Sequence, residues 1–177
     1  EVDEEGKQLV IQGAKDGLFQ KSDKAIGVDL TDEKLGFFLL LKSDGNTLYS
    51  TKDLALAKRK FEQFGIERSI YVVGAEQTLH FQQVFTTLKK MGYQQASRCF
   101  HLPYALVVLP GGKMSSRAGN VILFSKLQQE MCDFVRNNYL ESHRENWSDE
   151  EIESTTRKVA VAAIKYGMLN QDPNKQI

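Results

Sequence analysis

The chain has little cysteine: only Cys99 and Cys132 among 177 residues. Two thiols cannot build a disulfide framework, and no Cys-x-x-Cys pair or Cys/His cluster offers a metal site. They read as reduced thiols of a cytoplasmic protein. Net charge is missing too, since 23 Lys and Arg balance 23 Asp and Glu. That balance excludes a general electrostatic pull toward nucleic acid or membrane, so any RNA contact needs a local patch or polypeptide outside this chain. No apolar run approaches the roughly 18 residues of a membrane span, so no membrane partner is expected. No charged-then-apolar leader opens the chain. The first residue is Glu1, and residues 172–177 finish without a cap, so the chain is expected to be an excised piece of a longer polypeptide.

What is present is a globular composition, 41% hydrophobic and 26% charged, rather than a disordered or fibrous one. Residues 1–17 suggest a weak helix. Ala25 to Leu30 and Phe37 to Leu41 read as strands. Ser43-Asp44-Gly45-Asn46-Thr47 carries a hairpin signal in its Asp-Gly centre, so the stretch before it suggests a small β-rich lobe. A helix is expected from Thr51, with Thr51 as its cap, to Gly65. Strand 68–73, helix 77–91 and strand 104–109 follow. This alternation predicts an open parallel sheet with helices on its faces. Beyond the glycines at 111 and 112 the pattern is helical: residues 126–140 with Ser125 as a possible cap, then a helix opened by Ser148, whose Glu151 completes a capping box.

The sharpest chemical signal is Gly112-Lys113-Met114-Ser115-Ser116-Arg117, on a loop after a predicted strand and before a helix. A lysine and two hydroxyls behind paired glycines suit a phosphate: Lys113 is a compact positive charge, Ser115 and Ser116 can donate, and glycine lets the backbone approach. The spacing is not that of a P-loop. An ordinary basic surface loop has the same composition.

Lys113-Met114-Ser115-Ser116, followed by Arg117, resembles the Lys-Met-Ser-Lys signature of class I aminoacyl-tRNA synthetases, in the variant that arginyl enzymes carry. Residues 42–55, with Ser43-Asp44-Gly45 and Tyr49-x-Thr51-x-Asp53-Leu54-Ala55, resemble a second arginyl-family segment. Tyr71-Val72-Val73-Gly74, with Gln77-x-x-His80-Phe81, resembles a third. The resemblance covers nearly the whole chain, more loosely before Phe37 and after Ser142. It implies an arginine–tRNA ligase that activates arginine with ATP, accompanied by Mg2+ and with no protein-held metal, and passes the arginyl group to tRNA(Arg).

The resemblance also implies roles. Lys113, Ser115 and Ser116 would be the catalytic group, neutralising pyrophosphate charge in the transition state. Tyr49, Asp53 and Gln77 would form the arginine pocket, with Asp53 accepting the guanidinium fork bidentately, which a lysine substrate could not copy. Gly74, Glu76, His80, Val108, Lys113 and Met114 would face the nucleotide. Without the resemblance, Asp53 is a helix-start acid, Tyr49 a strand aromatic, Gln77 a solvated residue, and His80, a lone helix histidine, more often a packed or solvated residue than a functional one. His101 and His143 read as structural. Arg157 and Lys158 could face tRNA, though a solvated face is the better account of them.

The expected fold is α/β, the second half of a doubly wound, Rossmann-like parallel sheet with a small β-rich insertion and C-terminal helices. Residues 1–41 would end the insertion, 42–125 would form the second half of the nucleotide-binding catalytic fold, and 126–177 a helical stem. The second class I signature, His-x-Gly-His, is absent: His80, His101 and His143 are far apart. The half-site it builds is therefore expected outside this chain, and the chain alone is expected to be inactive and monomeric. Two alternatives stay open: a non-catalytic nucleotide- or RNA-binding module of the same fold, and a class I synthetase for another amino acid.

Overall fold

Charged and apolar residues alternate at helical spacing near the N-terminus, and Val2–Lys15 forms helix α1. Three short strands follow, β1 (Gln20–Ser22), β2 (Ala25–Leu30) and β3 (Gly36–Leu41), in one antiparallel sheet ordered β1-β2-β3. Helix α2 is Tyr49–Phe64, strand β4 Ser69–Gly74, helix α3 Thr78–Lys90 and strand β5 Cys99–Tyr104. The two-residue strands β6 (Val108–Leu109) and β7 (Gly112–Lys113) precede helices α4 (Phe124–Val135) and α5 (Asp149–Leu169). The structure, a computed structural model, describes residues 2–109, 112–114, 119 and 121–176. They fall into two compact units, Glu1–Tyr104 and Ala105–Ile177.

In the first unit a single apolar core joins α1 (Val10), the antiparallel sheet (Ile26, Val28, Leu30, Phe38, Leu40), α2 (Leu54, Ala57) and α3 (Val84, Leu88). β4 and β5 pair in parallel, with Ser69 opposite Cys99 through to Gly74 opposite Tyr104. Side chains alternate across a strand, and Ser69 and Tyr71 point inward. Tyr71 packs against Phe81 and Phe85 of α3, ring centroids 5.0 and 5.3 Å apart. On the opposite face Ile70, Val72, Phe100, Leu102 and Tyr104 stand exposed, Val72 at 63%.

Several local expectations are corrected. The parallel strand lies at Cys99–Tyr104, five residues before the expected 104–109. Among the described residues β5 pairs with β4 alone, an edge position of the kind where a proline such as Pro103 is tolerated. The tight hairpin turn is at Asp23 and Lys24, whose φ of 45° and 68° fit a two-residue loop between twisted strands. Asp44-Gly45 does form a turn, with the Asp44 carboxylate accepting the Asn46 N–H at 2.9 Å. It leads, however, to one isolated bridge between Leu41 and Thr47 and then into a helix, not a strand. α2 begins at Tyr49 rather than Thr51. Thr51 sits one turn in, where its hydroxyl reaches back to accept the Leu48 N–H at 3.1 Å.

In the second unit Val135, Leu140, Ile152 and Ala160 form a small core joining α4 and α5. α4 starts at Phe124 with Leu123 at its cap position, so Ser125 lies inside the helix instead of capping it. A single wider turn over Arg136–Leu140 follows α4. α5 starts as expected: the Ser148 hydroxyl accepts the Glu151 N–H at 3.2 Å, and the Glu151 carboxylate accepts the Ser148 N–H at 2.9 Å. The amide of Ser148 holds the Glu151 carboxyl below its usual range.

Candidate functional site

The start of α2 is fixed to β3 through two buried hydroxyls. Ser50 donates to the Leu39 carbonyl at 2.6 Å, and Thr51 donates to the Leu40 carbonyl. From the other side α1 presses in: a Cβ on Gly6 would stand 2.7 Å from the Thr51 carbonyl oxygen, and Asp3 pairs with Lys52 at 3.1 Å. The first turn of α2 is thus held at both ends of its cross-section. Tyr49 and Asp53 follow from that, because residues four apart on a helix share a face. Tyr49 is 82% exposed, and the Asp53 side chain is 26% exposed.

α3 is fixed as firmly. β4 ends at Gly74, a short turn over Ala75–Gln77 reverses the chain, and the Thr78 hydroxyl donates to the Ala75 carbonyl at 2.6 Å. Further along, Gln83 donates to the Leu35 carbonyl at 2.8 Å, and Lys90 pairs with Glu33 at 2.9 Å. His80 lies in the first turn of α3, three residues after Gln77. Its Nε2 is 2.6 Å from the Asp53 Oδ2. An ionised carboxylate can only accept, so Nε2 carries the proton that is donated. Two rings set the imidazole edge-on, Phe38 at 5.7 Å and Phe81 at 5.3 Å between centroids.

Behind this pair sits a second aromatic layer. His101 lies 4.7 Å from Phe81 and donates through Nε2 to the Val73 carbonyl at 2.9 Å, a structural role as expected. Burial pushes the Tyr71 phenol up to about 12, and the charge of Asp53 adds to the shift. The Lys60 ammonium lies 4.1 Å over the Tyr71 ring. The floor beneath Asp53 and His80 is therefore apolar and aromatic, and the two polar groups satisfy each other at its edge.

The expected residues divide between the units. Tyr49, Asp53, Gln77, Gly74, Glu76 and His80 belong to the first. The last four come from the β4–α3 junction, the carboxyl end of a parallel strand, where open α/β sheets bind ligands. Glu76 is exposed, its carboxylate folded back so that a Cβ on Gly74 would meet Oε2 at 2.8 Å. Val108, Lys113 and Met114 belong to the second unit, where Val108 pairs with Lys113 across the β6–β7 ladder. Ser115, Ser116 and Arg117 lie outside the described residues. Among the described residues no group of three or more His, Cys, Asp and Glu could hold a metal ion.

The Asp53–His80 bond was not foreseen. His80 was expected with the nucleotide-facing group, and it meets the residue expected to take arginine. Two alternatives for single residues fall. Tyr49 is on a helix, not a strand, and Asp53 is a turn too far in to be a helix-start acid, with its carboxylate on an imidazole. The spacing of Asp53 from His80 carries no local periodicity, so only the shared packing of α2 and α3 could reveal the contact.

The same arrangement of helices and strands recurs in solved synthetases. The arginyl-tRNA synthetase of Plasmodium falciparum superposes with a TM-score of 0.77 at 21% identity, over 97% of this chain and 28% of that one. That of Thermus thermophilus gives 0.77 at 23% identity, over 99% and 35%. In sequence the chain is 50% identical over 177 residues to an arginine–tRNA ligase of Bdellovibrio bacteriovorus, all of this chain and 30% of that protein. It is 38% identical over 175 residues to that of Bacteroides thetaiotaomicron, 98% and 29%. The family model for class I (R) tRNA synthetases, catalytic domain, matches residues 4–175. This chain belongs to the class I arginyl-tRNA synthetase catalytic-domain family. It spans about 30% of the length of the curated relatives it matches.

Proposed function

We propose that these residues supply the arginine-selecting wall and the pyrophosphate loop of an arginine–tRNA ligase. The observation that carries this reading is the carboxylate of Asp53. It stands partly exposed on the face of α2 that it shares with Tyr49, on an aromatic floor, in a chain of this family. An arginine guanidinium offers a flat fork of donors that a carboxylate accepts through two parallel bonds, whereas lysine offers a single compact charge. Tyr49 walls the site, and Gln77 fixes its polar end.

ATP is the second substrate and brings Mg2+ with it. A carboxylate oxygen of arginine attacks the α-phosphorus, the bond to pyrophosphate breaks, and arginyl-adenylate forms. The chain's part in this step is positioning and charge neutralisation. Lys113 meets the departing pyrophosphate, Ser115 and Ser116 donate to its oxygens, and Gly74, Glu76, Val108 and Met114 line the nucleotide. The terminal ribose of tRNA(Arg) then takes the arginyl group and AMP leaves. The protein acts in the cytoplasm as a monomer. No helix among the described residues is long and apolar enough to cross a membrane.

The exposed apolar face of Ile70, Val72, Phe100, Leu102 and Tyr104 supports a doubly wound sheet whose second layer comes from polypeptide outside these residues. Parallel strands are ordinarily covered on both faces. The missing His-x-Gly-His half-site would lie in that same polypeptide, so this chain alone gives no arginine-dependent ATP–pyrophosphate exchange. The test of the reading is Asp53→Ala in the full-length enzyme. The KM for arginine is expected to rise at least about a hundredfold, the loss of a charge-assisted bidentate pair, with the KM for ATP little changed. An unchanged KM for arginine would remove Asp53 from the pocket.

A further inference from the structure

We propose that His80 is a positioning residue for arginine selection: its Nε2–H clamps the Oδ2 of Asp53 and orients the carboxylate toward the guanidinium. The inference rests on the reading of Asp53 as the guanidinium acceptor and adds the group that makes the acceptor rigid. A bidentate fork needs the two carboxylate oxygens held in one plane with the incoming nitrogens. A free aspartate turns about its last bond and loses that plane much of the time. Here the Oδ2 is anchored at 2.6 Å from Nε2. The anchor is itself fixed, because Phe38 and Phe81 set the imidazole edge-on from two sides.

The clamp leaves the acceptor competent. A carboxylate oxygen has two lone-pair directions. Oδ2 can accept from His80 on one and from a guanidinium on the other, while Oδ1 remains open. Both side chains are about a quarter exposed, 23% and 26%, so the bond is neither sealed in the core nor dissolved in solvent. Pocket geometry then comes from three separate elements: β3 supplies Phe38, α2 supplies Asp53 and α3 supplies His80. A site built across packed elements keeps its geometry better than one carried on a single loop.

The variants that separate this from a purely structural role are His80→Phe and His80→Gln in the full-length enzyme, with Asp53→Asn alongside. Phenylalanine keeps a ring between Phe38 and Phe81 but donates nothing, whereas glutamine carries a side-chain amide in place of Nε2. His80→Phe is expected to raise the KM for arginine about tenfold, the size of one hydrogen bond to a charged group, with kcat and the KM for ATP within a few-fold. His80→Gln is expected to recover most of that loss. A rise in the KM for ATP instead would overturn the proposal and return His80 to the nucleotide site. No change in either constant would overturn it as well. Asp53→Asn separates the two layers: if it leaves arginine binding intact the pocket reading itself falls, whereas a weakened Asp53→Asn beside a silent His80→Phe removes only the clamp. Should His80→Phe fail to fold, 15N chemical shifts of the imidazole in the unmodified 177-residue chain decide. The Nε2-protonated tautomer, altered by Asp53→Asn, supports the clamp. The Nδ1-protonated tautomer, indifferent to Asp53→Asn, overturns it.

Discussion

Replacing Thr51 by Val would test whether the start of α2 is held as described. The two side chains have almost the same shape, so packing against α1 is retained and only the hydroxyl is lost. That hydroxyl does two things: it donates to the Leu40 carbonyl and accepts the Leu48 N–H. Thr51 is fully buried, so the Leu40 carbonyl would lose its partner where water does not reach, at a cost of about 1–2 kcal/mol. The Leu48 amide is only partly buried and can turn to water, which adds about 0.5–1 kcal/mol. The expected sum is about 2 kcal/mol, read by urea denaturation of the first unit. Thr51→Ser is the control. It keeps both bonds, loses one methyl and should cost about 1 kcal/mol. Hydrogen exchange of the Leu54 and Ala55 amides reports the first unit directly, and Trp147, the single tryptophan, reports the second unit and should not move. If Thr51→Val is within about 0.5 kcal/mol of the original, or less damaging than Thr51→Ser, the hydroxyl anchor is not what holds α2.

Gly6→Ala pits two effects against each other. Alanine favours a helix interior by about 1 kcal/mol, but its methyl would stand 2.7 Å from the Thr51 carbonyl oxygen, a backbone atom that cannot swing aside. Overpacking costs about 1–3 kcal/mol, so the melt should show net destabilisation, and a stabilised variant would mean that α1 and α2 are not in close contact. For Tyr71, a phenol pushed up to about 12 in the folded chain stays protonated where an unfolded one ionises. Its contribution is fully present below the ordinary phenol range and is lost as pH rises through the interval up to about 12, because the unfolded state there binds fewer protons. Tyrosinate absorbance should include a slow phenol that ionises with unfolding. Its disappearance in Tyr71→Phe checks the assignment, and an unaltered titration would refute it.

Much of the fold was legible because periodicity is local. The β2 and β3 strands and the apolar β4 run stand where their patterns put them, each helix exists where one was expected although α2 and α4 start two residues earlier, and the Ser148–Glu151 box marks a helix start correctly. β5 was misplaced for a physical reason. His101 and Pro103 interrupt its apolar pattern, while Val107, Val108 and Leu109 look more strand-like, although only Val108 and Leu109 are paired, in a two-residue antiparallel ladder. The interruption is explained once the edge position of β5 is known, and nothing in the local sequence reveals that position. Asp44-Gly45 misled similarly, since a turn motif fixes the turn and not the element after it. At the candidate site the helical spacing of Tyr49 and Asp53 could be read directly. The bond from Asp53 to His80 could not, because it depends on how two helices pack.

The most direct measurement is a structure of the full-length enzyme with arginine bound. The guanidinium should lie in the plane of the Asp53 carboxylate, at about 2.8 Å from its oxygens, with Tyr49 beside it and His80 still on Oδ2. An arginine side chain held by other acidic residues, with Asp53 and His80 turned away from it, would contradict the account.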